Sequence, residues 1–272
     1  MIGHIEWHGF RLKVDFSQGR SIAIPLQPDG SQPLFFAPAK ARAKPLQSGE
    51  YIGSVAKGGS CNAELLEFAP HCHGTHTECI AHLTRERGSV LELTDRAPCL
   101  ARLVSLTATD PEASDERYAA APEPGQLLLT RAELQALLAA GFTAPTVQAL
   151  IVRTRPNGPD KLQRDYAQAP PYPVFSDAAM QWLAGQDLKH LLVDTPSLDA
   201  AHDGGRLANH RCWWGLAGAA PEQAGRRSVT EMIYVPDDIP DGLYWLHLGL
   251  QPLAADAAAS EPVIYAAQAV PA

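Results

Sequence analysis

Coordinating side chains are concentrated in one short segment, HCHGTHTECIAH, which spans residues 71 to 82 and contains four histidines, two cysteines and a glutamate. Imidazole nitrogens, thiolates and carboxylate oxygens are the usual ligands of zinc and related divalent metals. On an extended chain, alternation places Cys72, His76, Glu78 and His82 on one face. Because the nearby proline, glycine and threonines disfavour a helix, we expect the segment to be extended and to present this face to a metal.

The residues alone leave two interpretations of this segment open. In the first, it forms a catalytic metal site, where an open position holds water and His82 moves protons, since imidazole takes up and releases protons near neutral pH. In the second, the histidines are structural and are satisfied by backbone hydrogen bonds. In both, His71 and His73 point to the opposite face and have packing roles, and Cys79 belongs to the core.

Short apolar runs of strand length recur along the chain and predict a sheet that positions this segment. The runs are CLARLVSL (99–106), ALIVRT (149–154), HLLVDT (190–195) and YWLHLGL (244–250). The chain after residue 228 carries only strand-like patterns. Strands with helices between them predict an α/β fold with a mixed sheet and few helices.

Two helices are marked by their capping residues. In the first, Thr130 and Glu133 have the spacing of a capping box and Gly141 is a natural stop. Its apolar face is expected to consist of Leu134, Leu137 and Leu138. The second helix, in SDAAMQWLAG (176–185), has a serine cap and a glycine stop, and it turns Met180 and Leu183 toward the core. Because no flexible linker divides the chain, residues 1–272 are expected to form one domain.

Composition narrows the class of partner. The net charge of −8 argues against a nucleic-acid-binding surface, which needs clustered lysine and arginine, so a small-molecule substrate is expected. The chain has neither a secretory signal nor an apolar run long enough to span a membrane, which predicts a cytoplasmic protein without a membrane partner. The five cysteines are irregularly spaced and are expected to be free, buried or metal-binding thiols.

The stretch CHGTHTECIAH resembles the HxGTHxDxPxH signature of the cyclase family, which includes kynurenine formamidases and isatin hydrolases. The matching positions are Cys72, Gly74, Thr75, His76, Glu78, Ile80 and His82. Further segments resemble the family in the same order along the chain. They are VDFSQGRSIAIPL (14–26), VRT (152–154), VFSDAAMQWLAGQDLKHLLVDTPSLD (174–199) and PDGLYWLHLGLQPL (240–253).

The resemblance implies the swivelling β/β/α fold of that family, hydrolysis of an amide-type bond, and a homodimer or higher homo-oligomer. It also implies a divalent metal, zinc or alternatively manganese. Four positions match metal ligands, namely His76, Glu78, His210 and Glu231, and His82 matches the catalytic acid/base.

Three positions depart from the family pattern. Cys72 replaces the first ligand histidine; its thiolate can bind zinc, His73 beside it can substitute, or the position is lost. Glu78 replaces an aspartate, which moves the carboxylate by one methylene. Ile80 replaces a proline, which changes the stiffness of the loop more than its chemistry.

The leading hypothesis is a metal-dependent hydrolase acting on a small amide, formamide or cyclic imide or lactam. Two alternatives remain: a cyclase or dehydratase that abstracts a proton beside a carbonyl, and a metal-poor, non-catalytic small-molecule binding protein. Arg153 is either an anchor for an anionic substrate or a structural ion-pair partner. Aromatic walls for a planar substrate are available from Phe35, Phe36, Tyr172, Trp213 and Trp214, although each also suits packing.

Overall fold

The computed structural model describes residues 1–36, 39–86, 88–93, 97–119, 123–138, 145–217 and 224–270. The strands in these residues are β1 (Ile2–Trp7), β2 (Phe10–Asp15), β3 (Arg20–Ser21), β4 (Arg42–Pro45), β5 (Gln47–Ser48), β6 (Tyr51–Ile52), β7 (Glu64–Glu67), β8 (His76–Glu78), β9 (Cys99–Thr107), β10 (Leu128–Leu129), β11 (Ala149–Arg155), β12 (Val174–Phe175), β13 (His190–Val193), β14 (Ser228–Glu231), β15 (Gly242–Leu250) and β16 (Ala257–Val270). The α-helices are α1 (Pro70–His73), α2 (Arg131–Leu137), α3 (Asp177–Ala184) and α4 (Ala208–Trp213). Short 3₁₀ helices cover Val55–Lys57, Ile80–His82, Val90–Glu92, Pro111–Ala113, Pro159–Gln163 and Ala224–Arg226.

Seven strands of a mixed sheet close into a barrel in the order β16, β15, β9, β11, β13, β14, β8 and back to β16. Closure depends on the length of β16, which has 14 residues. Its first residues, 257–259, pair with β8, and residues 260–266 pair with β15. Strands β1, β2 and β3 extend the sheet beyond β16. The predicted α/β fold with a mixed sheet and few helices is confirmed.

Alternation along the strands divides the apolar residues between two layers. Inside the barrel, small and branched side chains from neighbouring strands pack together, including Ala101, Leu103, Ile151, Leu192 and Leu246. The outer face of the same strands packs against α2, α3 and α4, through residues such as Leu150, Val152, Leu191, Val193 and Val229. Both faces of β9, β11 and β13 are therefore covered, which explains why these strands read as continuous apolar runs.

The two helices predicted from their capping residues are present. The Thr130 hydroxyl accepts a hydrogen bond from the Glu133 amide at the start of α2, and the Ser176 hydroxyl accepts one from the Ala179 amide at the start of α3. Leu137, which was expected on the apolar face with Leu134 and Leu138, is 44% exposed. Leu134 and Leu138 lie one turn apart on the buried face, whereas Leu137 is rotated toward its edge. The stop predicted at Gly141 lies outside the described residues.

The segment 71–82 is not one continuous strand, contrary to expectation. Residues 70–73 form a single helical turn, only 76–78 are a strand, and 80–82 form a 3₁₀ helix. Pro70 occupies the first turn of α1, where the missing amide proton is not needed and the fixed φ favours the helix. The strand-only pattern predicted after residue 228 is confirmed by β14, β15 and β16. In the described parts of the chain, no helix has the length and apolarity needed to cross a membrane.

Candidate metal centre

Strand β8 presents two buried donors on the outer face of the barrel. It lies between β14 and β16, and His76 pairs directly with Glu231 of β14. Because side chains alternate, His76 and Glu78 point to the same side as Glu231, while Thr77 points to the other. There the Thr77 hydroxyl contacts Thr230 Oγ1 at 2.8 Å. The sheet register therefore brings one imidazole and two carboxylates together.

Helix α4 supplies the fourth buried donor, His210, from a distant part of the chain. Asp199 fixes it, because its Oδ2 accepts hydrogen bonds from the His210 amide at 3.1 Å and from Nδ1 at 2.7 Å. Asp199 Oδ1 also accepts the Asn209 amide at 2.8 Å and the Tyr118 hydroxyl at 3.0 Å. A single carboxylate therefore caps the start of α4 and orients the imidazole, so that Nε2 points toward β8 and β14.

The four donors meet at short distances. His210 Nε2 lies 2.8 Å from Glu78 Oε1 and 3.3 Å from Glu231 Oε1. His76 Nε2 lies 3.4 Å from Glu231 Oε2. All four side chains are at most 5% exposed. These residues are His76, Glu78, His210 and Glu231, four of the five predicted ligands, and the structure brings them into one cluster; the fifth predicted ligand, Cys72, is not among the donor groups of the described residues.

Two atoms of this cluster are buried without a hydrogen-bond partner: His76 Nε2 and Glu78 Oε2. The His76 ring is oriented by its other nitrogen, because Nδ1 donates to the Gly74 carbonyl at 3.0 Å and leaves the lone pair on Nε2. A buried polar atom without a partner is costly. Imidazole nitrogens and carboxylate oxygens are ligands of divalent cations, so the chemistry of these residues is compatible with a bound divalent metal.

The open edge of the cluster is formed by His71, His82 and Asp256. Asp256 Oδ2 contacts His71 Nε2 at 3.0 Å and His82 Nδ1 at 3.3 Å. The remaining nitrogens point inward, with His71 Nδ1 at 3.1 Å and His82 Nε2 at 3.9 Å from Glu78 Oε2. The two histidines keep 28% and 27% of their side-chain surface exposed. The cluster is thus open to solvent on this side.

The charges of the cluster stabilise one another. Burial alone would raise the pKa of Glu78, but the charge of His210 and the contacts with His210 and His71 hold that pKa well below its usual value. Burial lowers the pKa of His210, yet the charge of Glu78 and the hydrogen bond to Asp199 outweigh it and raise the pKa well above the usual value. Without a metal, the charge of His210 therefore offsets part of the acidic charge of the cluster.

The family model described as "Putative cyclase" matches residues 14–200, a span that includes the helical turn, β8 and the Asp199 loop. The chain belongs to the cyclase family. Membership identifies it as an enzyme. No curated protein sequence matches the chain.

Solved structures of similar fold include several cyclase-family proteins. An isatin hydrolase bound to the product analogue thioisatinate is 15% identical, with 92% of this chain and 93% of that chain covered and a TM-score of 0.60. Isatin hydrolase A from Labrenzia aggregata, bound to benzyl benzoate, is 15% identical over 91% and 93% of the chains, with a TM-score of 0.57. A "predicted metal-dependent hydrolase" from Bacillus stearothermophilus is 13% identical over 91% and 98%, with a TM-score of 0.54. These likenesses show a common fold.

The first residues of the cyclase signature are arranged differently from expectation. His71, predicted to face away, lies inside the cluster, because the helical turn replaces the alternation of a strand. Cys72 and His73 belong to none of the donor groups that the described residues form. The His73 ring accepts the Ala69 amide at 2.9 Å and contacts the Ala39 carbonyl at 2.9 Å, so it is held in the packing role expected for it. Cys79 is buried, as predicted.

The sequence analysis missed two carboxylates of the metal centre, Asp199 and Asp256. Asp199 is the last residue of the DTPSLD turn that follows β13. It accepts hydrogen bonds from the amides of Asn209 and His210 at the start of α4, and its distance from them in sequence gave no indication of this role. Asp256 lies immediately before β16, within the alanine-rich run 254–259. A single acidic residue in an otherwise apolar run next to a predicted strand was a usable signal.

The candidate aromatic walls are mostly packing residues. Trp213 and Trp214 are buried in the main core, and the Trp214 ring lies 5.4 Å from the His210 ring. Phe35 and Tyr172 are buried in a separate apolar cluster outside the two layers of the barrel. Together with the exposed Phe36 they line a cavity of about 180 Å³. Trp214 is thus the member of this set that directly supports a donor of the metal centre.

The structure answers the question left open for Arg153. Its guanidinium is buried and donates to Ser105 Oγ, to the Pro236 and Ile239 carbonyls, and to Asp241 Oδ1, all at 2.8–2.9 Å. These bonds use four of the five N–H donors and tie β11 to the segment before β15. Arg153 is therefore a structural ion-pair partner.

We predict that Arg153→Lys lowers the free energy of unfolding by about 1–3 kcal/mol, because one ammonium cannot reach all the acceptors that the guanidinium serves. Arg155→Lys is the matched control on the same strand, where the exposed pair with Asp237 contributes no more than about 1 kcal/mol. Urea unfolding measures both values. A raised KM with unchanged stability in Arg153→Lys would instead indicate a substrate anchor.

Proposed function

We propose that this enzyme is a metal-dependent hydrolase that cleaves the C–N bond of a small amide, a formamide, or a cyclic imide or lactam. The observation that carries the proposal is the buried cluster of two imidazoles and two carboxylates, His76, Glu78, His210 and Glu231, located beside a partly exposed histidine, His82. The shared fold with isatin hydrolases supports the substrate class, since isatin is a cyclic amide.

His76, Glu78, His210 and Glu231 would hold the cation, zinc or alternatively manganese, because imidazoles and carboxylates suit both ions. A divalent metal supplies Lewis acidity, which polarises a substrate carbonyl and lowers the pKa of a water toward about 7. Asp199 supports this site from behind by accepting the Nδ1 proton of His210, which leaves Nε2 free to coordinate.

His82 is suited to move the proton. Asp256 accepts its Nδ1–H at 3.3 Å, which fixes the tautomer and leaves the lone pair on Nε2, the nitrogen that faces Glu78 at 3.9 Å. In amide hydrolysis, the oxygen of water forms a bond to the carbonyl carbon as His82 takes the proton of that water. The C–N bond then breaks and His82 returns the proton to the leaving nitrogen, so no net proton remains on the enzyme.

The proposal predicts that chelation abolishes hydrolysis. Purified protein is assayed on isatin and on N-formylkynurenine before and after treatment with a chelator, and then after Zn²⁺ or Mn²⁺ is restored. We expect ring opening or deformylation in the first state, loss to the background rate in the second, and recovery in the third. A matched sample treated with metal-saturated chelator controls for effects of the chelator itself.

Two results would contradict the proposal. Undiminished hydrolysis after complete removal of the metal would exclude metal dependence. Conversion of the substrate without addition of water, detected as an unchanged product mass, would show isomerisation or cyclisation instead of hydrolysis.

A further inference from the structure

His71 contacts the metal centre directly. Its Nδ1 lies 3.1 Å from Glu78 Oε2, and its ring is 5.1 Å from the ring of His76. One donor atom each from His71, His76 and Glu78 lies within 4.8 Å of the other two. Two ligands of one zinc ion, each at roughly 2.0–2.2 Å, are separated by no more than about 4.4 Å, so small movements bring this trio onto a common ion.

The other nitrogen of His71 is held by a carboxylate. Nε2 donates to Asp256 Oδ2 at 3.0 Å, which leaves Nδ1, 3.1 Å from Glu78 Oε2, as the nitrogen that would bind a metal. Metal-binding histidines almost always donate their second ring nitrogen to a carboxylate, a carbonyl or water, which fixes the tautomer and the orientation of the ring. His71 has this arrangement, and His210 has the same one with Asp199.

Cys72 cannot take the same position on this backbone. Successive side chains of a helical turn diverge by about 100°, so His71 and Cys72 do not face the cluster together. The Cys72 carbonyl accepts the Phe35 amide at 3.0 Å, and its amide donates to Ala69 at 3.0 Å, which fixes the orientation of the turn. Cys72 contributes to none of the donor groups found in the described ranges.

We propose that His71, and not Cys72, provides the metal ligand of the helical turn, binding through Nδ1 while Asp256 holds Nε2. The inference rests on the proposed metal-dependent function and refines its ligand set. The ligand histidine of the cyclase signature is thereby displaced by one residue toward the N-terminus, a shift that the helical turn compensates. The resulting site contains imidazole and carboxylate donors without a thiolate, which favours acceptance of manganese beside zinc.

Cobalt substitution and metal competition test the proposal. The purified metal-free wild type, His71→Ala, Cys72→Ala, His73→Ala and Asp256→Asn are loaded with Co²⁺, and their absorption spectra are recorded. Their Zn²⁺ affinities are measured by competition with a chromophoric chelator. Circular dichroism of the metal-free forms verifies folding, and His71→Gln replaces His71→Ala if the latter does not fold.

We expect His71→Ala to bind zinc about 100-fold more weakly, and Asp256→Asn about 10-fold or more, since loss of an outer partner of a ligand costs about 10- to 100-fold. Cys72→Ala and His73→Ala should match the wild type. The cobalt spectrum of the wild type should lack the intense near-ultraviolet thiolate-to-cobalt charge-transfer band.

Three outcomes would overturn the inference. A thiolate-to-cobalt band that disappears in Cys72→Ala would assign the ligand to the thiol. Unchanged affinity in folded His71 variants would limit His71 to the hydrogen-bond network of Asp256. Wild-type protein that binds no zinc or cobalt would remove the proposed function together with this inference, whereas the first two outcomes leave metal-dependent hydrolysis intact.

Discussion

A His82→Ala variant is expected to lose about 10²- to 10⁴-fold in kcat on the amide substrate while it retains the metal of the wild type. The range is that of a positioned general acid or base. His82 is placed for this role by Asp256, which contacts Nδ1, and its Nε2 stands 3.9 Å from Glu78 at the solvent-open edge of the cluster. The proposed ligands, His76, Glu78, His210 and Glu231 together with His71, do not include this side chain, so the metal should remain.

The measurement combines steady-state kinetics with elemental analysis of the same preparation. His247→Ala is the matched control, because His247 is an exposed residue on β15, and its removal should leave kcat unchanged. Wild-type kcat in His82→Ala would exclude proton transfer by this residue. A parallel loss of activity and metal would show that His82 is a ligand instead.

A Glu78→Gln variant is expected to lose metal binding and also to destabilise the metal-free protein by about 3–5 kcal/mol. Glu78 is 1% exposed and contacts His210 at 2.8 Å and His71 at 3.1 Å. Removing one member of a buried ion pair leaves the other charge without compensation, which costs about this much. The same substitution removes the carboxylate that the proposed metal site shares with these histidines.

Chelator competition measures the affinity of Glu78→Gln for zinc, and urea unfolding of metal-free samples measures its stability. Glu67→Gln is the matched control, since Glu67 is exposed on β7 and its replacement should change stability by less than about 0.5 kcal/mol. If Glu78→Gln binds zinc like the wild type, the carboxylate is not a ligand. If metal-free stability is unchanged, the charges around His210 are balanced by Glu231 and Asp199 alone.

The predictions confirmed most completely concern features encoded within a few residues. The caps at Thr130 and Ser176 determine where α2 and α3 begin, because a hydroxyl and an amide three residues later need nothing else to pair. The apolar runs at 99–106, 149–154 and 190–195 predicted strands, and each run forms one in the barrel, with the interior on one side and helices on the other.

The sequence also identified most of the metal centre, through HCHGTHTECIAH and its resemblance to the cyclase family. It did not specify which of three adjacent residues faces the cluster. Alternation favoured Cys72, but Pro70 starts a helical turn, and the rotation of that turn brings in His71 instead. Cys72 was predicted instead of His71 because successive side chains are rotated by different angles in a strand and in a helix. Which of the two residues faces the cluster therefore depends on the backbone conformation of the turn after Pro70.

The sequence by itself therefore determined the family, the elements and the donors of β8. The resemblance also predicted the distant donors His210 and Glu231, but only the tertiary structure decided how they meet Glu78 and that His71, Asp199 and Asp256 join them. His210 and Glu231 reach Glu78 across more than a hundred residues, and Asp199 and Asp256 hold the imidazoles of His210 and His82. The physical reason is that the distances between these side chains are set by the closure of the barrel through β16 and by the packing of α4. Both depend on contacts between residues far apart in the sequence, so no short segment determines them.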